Sequence, residues 1–141
     1  MNQKEIVLTG LAPSNGAFHR PVQVQKLFFL LDKNIAGYVG GPFFNFKPYN
    51  YGPFDKAVYD VLEELEAEHL IEIRKANSWR EFRLTTQGQI RGAALLNQLP
   101  VRVKNYFIEV SEFVRKLSFT QLVSAIYKAY PEMKANSVFQ D

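Results

Sequence analysis

The sequence predicts a mainly helical α+β domain with one small antiparallel hairpin, and three observations within residues 58–88 support this fold class. Residues 71–84 alternate apolar and polar side chains on both sides of the polar turn KANS at 75–78, which predicts a hairpin. The polar sequence TTQG at 85–88 then opens another helix. The residues before the hairpin recur at the i, i+3, i+4, i+7 spacing of one helix face: Val58, Val61, Leu62 and Leu65. A third helix followed by a hairpin is typical of a winged-helix domain, so we predict a winged-helix-like core.

Two further helices are predicted ahead of this segment. The first covers about residues 3–11 and ends at the turn sequence PSNG at 13–16. Pro21 suits the first position of the second helix, because an N–H at that position would lack a helical partner. The second helix is apolar on nearly every side, so we place it at the centre of the core. Its apolar residues are Val24, Leu27, Phe28, Phe29, Leu30, Leu31 and Ile35.

Three helices are predicted after the hairpin. Thr86 and Gln89 have the spacing of a capping box for a fourth helix that ends near residue 98. A fifth begins at about residue 100, and Ser118 with Gln121 forms a second capping box for a sixth that ends before the proline at 131. We therefore predict a single domain over residues 1–141, with a winged-helix-like core at about 3–98 and a C-terminal helical extension at about 100–137.

Composition limits the class of protein. The chain has 141 residues, of which 47% are hydrophobic, so one domain can bury a core. The absence of cysteine excludes disulfides, thiolate metal ligands and a cysteine nucleophile. No apolar run is long enough to cross a bilayer, and residues 1–5 do not resemble the start of a signal peptide. We therefore expect no membrane association and a cytoplasmic location.

The net charge of +3 is small but unevenly distributed. Residues 1–68 contain six Lys/Arg and eight Asp/Glu, a difference of −2, whereas residues 69–141 contain eleven and six, a difference of +5. The basic excess begins at the hairpin, which could contact phosphates of a nucleic acid. The candidate nucleic-acid-binding residues are Arg74, Lys75, Arg80 and Arg83.

The predicted third helix argues against conventional reading of the DNA major groove. A helix-turn-helix joins its two helices by a turn of about three or four residues, but here residues 36–55 separate them. The third helix also carries six carboxylates against one lysine, which would repel a phosphate backbone. The acidic run is interpreted as a solvated face, with a docking surface for a basic partner as the alternative. That surface would use Asp60, Glu63 and Glu64.

The connection at residues 37–54 is rich in aromatic residues and contains seven of the twenty in the chain. Its rings either pack beneath the domain as an ordered loop or form a partly exposed platform for a peptide or an unstacked base. Residues 44–46 suggest a short strand that joins the hairpin. We expect Tyr51 and Phe54 to be structural and Tyr49 to be the exposed binding candidate. Trp79 either covers the hairpin end or acts as a binding hot spot.

No motif for catalysis or for cofactor binding is present. Residues 37–41 are not followed by the lysine and Ser/Thr of a phosphate-binding loop, and a nucleophile elbow is missing. His19 and His69 are far apart in sequence, so surface or capping roles are favoured over a metal site or a catalytic base. We accordingly predict a protein that is not an enzyme and that binds neither metal nor cofactor.

Several segments together resemble a known bacterial family. They are QKLFFLL at 25–31, YNYGPF at 49–54, the acidic helix, LTTQG at 84–88, and IYKAYPE at 126–132 with Asn136-Ser137. Over about residues 21–137 the chain resembles the YwgA-like proteins and, more distantly, the Panacea (SocA-like) domain associated with antitoxins. This resemblance implies a compact, winged-helix-like regulator or interaction partner of toxin or defence systems. It implies no catalytic residues.

Three hypotheses of function follow. The leading one is a protein-binding regulator, antitoxin-like or accessory to a defence system, whose partner is a toxin or defence component. Its candidate partner-binding residues are Tyr49, Trp79, Asp60, Glu63 and Glu64. The second is a DNA-binding transcriptional regulator that contacts the phosphate backbone through the basic hairpin, and the third, a hydrolase-like enzyme, has no specific support. Self-association into a homo-oligomer stays open.

Overall fold

The computed structural model describes residues 1–139, in which six α-helices and two small antiparallel sheets confirm the mainly helical α+β class. Within these residues, no helix is both long enough and apolar enough to cross a membrane. The helices are α1 (Gln3–Leu11), α2 (Pro21–Asn34), α3 (Lys56–Ala67), α4 (Thr86–Asn97), α5 (Val101–Lys116) and α6 (Phe119–Ala129). The strands are β1 (Lys47–Tyr49), β2 (Gly52–Phe54), β3 (Ile71–Ala76) and β4 (Trp79–Leu84).

Local capping chemistry determines where most of these helices begin and end. Asp55 accepts a hydrogen bond from the N–H of Ala57 and caps α3, and Ser118 forms the predicted capping box of α6. His69 ends the α3 segment in the left-handed backbone conformation, with φ of 62°. The predicted cap of α4 is wrong by one residue. Thr85, not Thr86, accepts the hydrogen bond of the first turn, at the N–H of Gly88.

The β3–β4 hairpin has the predicted position, with a turn of two residues, Asn77 and Ser78. The backbone of Asn77 is left-handed, with φ of 58°, a conformation that asparagine tolerates in tight hairpins. The strand predicted at residues 44–46 is wrong. The insert instead forms β1 and β2, which pair with each other as a separate sheet and not with the β3–β4 hairpin. A two-residue turn joins β1 to β2, so the two strands form a hairpin of their own.

Helix α2 lies at the centre of the core, as its apolar sequence predicts. Phe28 and Leu31 are almost fully buried, and the predicted α3 face from Val58 to Leu65 is buried against the same cluster. Helices α5 and α6 contribute Phe107 and Leu122 to this cluster. The C-terminal helices therefore share one hydrophobic core with α1–α3.

Helix α4 packs closely against α1 at a glycine. A Cβ atom on Gly92 would lie 2.4 Å from the carbonyl oxygen of Leu8. That distance is far below van der Waals contact, so the two helices can approach this closely only because residue 92 has no side chain. The contact fixes α4, and with it the end of the β3–β4 hairpin, on the helical core.

Candidate functional site

The aromatic insert is an ordered segment held by two carboxylates. Asp32 on α2 accepts hydrogen bonds from the N–H groups of Phe43 and Phe44, at 2.7 and 2.9 Å. Burial raises the pKa of the Asp32 carboxyl, and these two backbone hydrogen bonds oppose that rise. Asp55 accepts from the N–H of Asn45 at 2.7 Å as well as capping α3. The insert is thus fastened to both neighbouring helices.

Gln25 on α2 fixes the junction between β2 and α3. Its side-chain amide donates to the carbonyl of Asp55 and accepts from the N–H of Asp55, each at 3.0 Å. A side chain that satisfies both backbone groups of one residue replaces a pair of strand hydrogen bonds. This contact places the β1–β2 hairpin over the N-terminal half of α2.

The rings of the insert divide between core and surface. Phe43, Phe44 and Phe46 pack against the core, with Phe46 edge-to-face on Phe29 at 5.6 Å between ring centroids. Tyr49 stacks on Phe54 with 5.1 Å between ring centroids. Phe54 in turn contacts the ring of Tyr59, and Tyr59 stacks on the buried Phe82. Some rings of the insert are therefore packed against the core, and others are partly exposed.

Two pockets next to these rings share Pro21, Val22 and Phe119 as walls, and we call them together the aromatic groove. The first pocket has a volume of about 260 Å³ and the second about 340 Å³. The first is also lined by Gln25, Lys26, Tyr49, Asn50, Tyr51, Gly52, Phe54 and Tyr59. The second is also lined by Arg20 and Trp79.

The groove brings together the two aromatic candidates that the sequence singled out. Tyr49 is 54% exposed and lines the first pocket, and Trp79 is 40% exposed and lines the second. Tyr51, expected to be structural, is instead 45% exposed and touches Phe119 by its edge. It is exposed because it occupies the turn between β1 and β2, where its side chain lies outside the core. Large exposed aromatic residues grouped at a concave surface are a frequent mark of a binding site.

Lys26 lies at the buried side of the first pocket. Lys26 is only 3% exposed, and its Nζ donates a hydrogen bond to the carbonyl oxygen of Pro53 at 3.2 Å. Burial lowers the pKa of the Lys26 ammonium to about 7. Among residues 1–139, no carboxylate forms an ion pair with it.

The acidic candidates on α3 form ion pairs outside this groove. Asp60 pairs with Lys56 at 2.8 Å and Glu63 with Arg80 at 3.0 Å. Glu64 lies 3.9 Å from Lys4 of α1. All of these pairs are substantially exposed, so each contributes little to stability. None of Asp60, Glu63 and Glu64 lines either pocket of the aromatic groove.

The basic residues of the hairpin are mostly engaged within the chain. Arg74 pairs with Glu81 and Arg83 with Glu72, and both guanidinium groups stack on the ring of Phe18 at 3.7 and 4.5 Å. Arg80 pairs with Glu63 and lies over the rings of Tyr59 and Phe82. Of the four, Lys75 alone has no partner within the part of the chain that the structure describes. The arginine charges are thus largely offset by neighbouring carboxylates.

The two histidines have different positions. His69 is exposed and ends a helix, as predicted, but His19 is fully buried and its surface or capping role is wrong. The backbone of His19 pairs with Phe82 of β4, and this pairing carries the ring into the core. Burial lowers the pKa of the His19 imidazole to about 4, so the ring is neutral near pH 7. Among residues 1–139, no three metal-ligating side chains cluster.

Sequence reasoning missed Lys26 and Phe119 as members of the groove. One signal was available for Lys26, because a charged residue within the otherwise apolar centre of a helix is rarely buried without a specific reason. No local signal marked Phe119, since its position beside the β1–β2 turn depends on how α6 packs. Comparison with family models, curated proteins and solved structures found no match to the chain. The resemblance to YwgA-like and Panacea proteins stays a prediction.

Proposed function

We propose that the protein is a protein-binding regulator, built as a winged-helix-like module, whose aromatic groove receives a segment of its partner. The observation that carries this proposal is the grouping of Tyr49, Tyr51 and Trp79, all at least 40% exposed, around two adjoining apolar pockets. Tyrosine and tryptophan supply much of the binding energy at protein interfaces. The groove rests on α2 and on two hairpins that are anchored by hydrogen bonds, so little ordering is required on binding.

The order of the elements supports the winged-helix-like interpretation. Helix α1 is followed by His19, which pairs with β4 through reciprocal backbone hydrogen bonds of 2.7 and 2.9 Å. Helices α2 and α3 come next, and the β3–β4 hairpin follows them. In this interpretation β3–β4 is the wing, and the β1–β2 insert separates α2 from α3. The insert adds the aromatic groove to the plain fold.

The resemblance to antitoxin-associated proteins suggests what kind of partner is bound. We propose a toxin or a defence-system component, which the module would neutralise or regulate. The proposal treats the protein as a binding module and not as an enzyme, because its sequence contains no catalytic motif. The charged side chains of α3 and of the wing are mostly paired with each other or with neighbours in the chain. We therefore favour the groove over either charged surface as the docking site.

The test begins with affinity capture from the source organism, using the wild-type protein and two groove variants, Trp79→Ala and Tyr49→Ala. A partner that the wild type enriches is then purified, and its affinity for each variant is measured by calorimetry. We expect each groove variant to lose more than about 1 kcal/mol of binding free energy. The matched control is Lys56→Ala, which breaks an exposed ion pair on α3 and should bind normally.

Two results would contradict the proposal. One is a partner that binds both groove variants as tightly as the wild type. The other is a loss of affinity that is confined to α3 or wing variants. Thermal denaturation of every variant separates a binding defect from a folding defect, since both groove side chains are exposed and should contribute little to stability.

A further inference from the structure

Within residues 1–139, no opposite charge balances the burial of the Lys26 side chain. An ammonium group has three N–H donors, and among residues 1–139 only the carbonyl of Pro53 accepts from Lys26. Buried charges in proteins are ordinarily paired with an opposite charge. Here the side chain instead borders an apolar pocket whose other walls include Tyr49, Phe54 and Phe119. The pocket therefore suits an anion that residues 1–139 do not supply.

The charge of the whole groove agrees with this requirement. The residues that line its two pockets include two cations, Lys26 and Arg20, and no aspartate or glutamate. Rings make up most of the remaining walls. A complementary ligand therefore combines a negative charge with an apolar group, and the charge must reach the first pocket, where Lys26 lies.

Resting on the proposed function, we propose that the Lys26 pocket binds the C-terminal carboxylate of the partner protein, with the last side chain, aromatic or large and aliphatic, held between the rings. A chain end carries an apolar side chain and a carboxylate on one residue, so a single residue satisfies both the rings and Lys26. An internal aspartate or glutamate would place only a short polar stem between the rings.

The size of the groove fits this occupant. The Lys26 pocket, at about 260 Å³, lies below the roughly 300–1,000 Å³ of pockets for drug-sized ligands, so it suits one residue. The adjoining pocket of about 340 Å³ beside Trp79 can hold the preceding apolar side chain. The penultimate residue would then contact Trp79, and the last residue would contact Tyr49 and Lys26.

The test uses two small probes that differ only at the chain end, N-acetyl-Leu-Phe with a free carboxylate and the same dipeptide as its C-terminal amide. Calorimetric titration of the full chain should show the acid binding roughly tenfold or more tightly than the amide, as a charge-assisted hydrogen bond requires. Lys26→Met and Lys26→Gln should abolish this preference. Lys128→Met, which removes an exposed lysine on α6 outside the groove lining, should retain it. Thermal denaturation confirms that each variant is folded.

Three results would overturn the carboxylate site: equal binding of acid and amide, no binding of the acid at roughly 10 mM, or tighter binding of N-acetyl-Leu-Glu-amide, which carries an internal carboxylate. Failure of the proposed function has a different signature. In that case Trp79→Ala and Tyr49→Ala would leave the purified partner's affinity unchanged. If Trp79→Ala weakened the binding of both probes and the Lys26 variants left it unchanged, the groove would stand as a binding site and the carboxylate site would be contradicted.

Discussion

Lys26 makes an unfavourable contribution to folding in the absence of a ligand. Burial alone lowers the pKa of its ammonium from 10.5 to about 7, and such a shift corresponds to a cost on the order of 5 kcal/mol when the group is charged. No residue from Val22 to Leu30 on α2 is acidic, so the helix offers Lys26 no adjacent carboxylate. A residue that costs stability and borders the proposed binding groove fits the pattern of sites that trade stability for function.

This cost gives a prediction with a definite sign. The folded pKa is below the unfolded one, so between pH 7 and 10.5 the unfolded chain holds a proton that the folded chain has lost, and stability rises with pH across that window. Lys26→Met should therefore stabilise the protein, by several kcal/mol at pH 6 and by less at pH 10. Urea unfolding of both proteins at the two pH values measures this difference. An advantage that is equal at both values would show that Lys26 is not buried as a charge.

At the scale of elements, the basic residues of the β3–β4 hairpin are mostly paired with carboxylates of the same chain. The three arginines of the hairpin belong to the basic excess of the C-terminal half, but Arg74 and Arg83 pair with carboxylates on the neighbouring strand. Cross-strand partners of opposite charge stabilise a hairpin modestly. The three arginines are thus engaged in ion pairs within the chain. Of the four basic candidates, only Lys75 has no partner within residues 1–139.

The hairpin therefore predicts weak, sequence-indifferent binding to duplex DNA. Fluorescence anisotropy with two unrelated duplexes, across a series of salt concentrations, measures both affinity and salt dependence. If one phosphate contact comes from Lys75, then Lys75→Ala should lower the slope of log K against log salt by about 0.9. Tight, sequence-selective binding with a steep slope that Arg74→Ala and Arg83→Ala also reduce would favour the transcriptional regulator instead.

The close contact between α1 and α4 predicts a stability change at Gly92 opposite in sign to the one that helix propensity predicts. Replacing a helical glycine by alanine ordinarily stabilises a helix by about 1 kcal/mol. At Gly92 the new Cβ would meet the carbonyl oxygen of Leu8, so we expect Gly92→Ala to destabilise the protein. Thermal denaturation compares it with Ala94→Gly, an exposed position on the same helix that should show the propensity cost alone. A stabilised Gly92→Ala protein would mean that α1 and α4 lie farther apart.

At the scale of the whole molecule, the sequence predicted those features that depend on local chemistry. The helix faces, the capping box at Ser118, the capping position of His69 and the hairpin turn within residues 75–78 all follow from residue types at known spacings. Thr85 and Thr86 are chemically identical, so only the position of the preceding strand decides which one caps α4. The groove was not predictable, because Trp79, Phe119 and Lys26 meet only after α2, α6 and two hairpins have packed together.

The core prediction is unchanged by the structure and is straightforward to test. Phe28 and Leu62 are essentially fully buried at the contact of α2 with its neighbours. Replacing either with alanine leaves a cavity and should cost about 2–5 kcal/mol. Chemical denaturation measures the loss, with Tyr38→Ala as a control because Tyr38 is 78% exposed. A silent Phe28→Ala change would mean that α2 is not central.

The most direct test of the groove as a protein-binding site uses Trp79, the only tryptophan in the chain. In ¹⁵N-labelled protein its indole N–H gives a single resonance, and an unlabelled partner contributes none. On addition of the purified partner, we predict a large shift of this indole signal, together with shifts of the amides of Val22, Tyr51 and Phe119. A partner that binds by calorimetry and leaves the Trp79 indole and these amides unmoved would contradict the account.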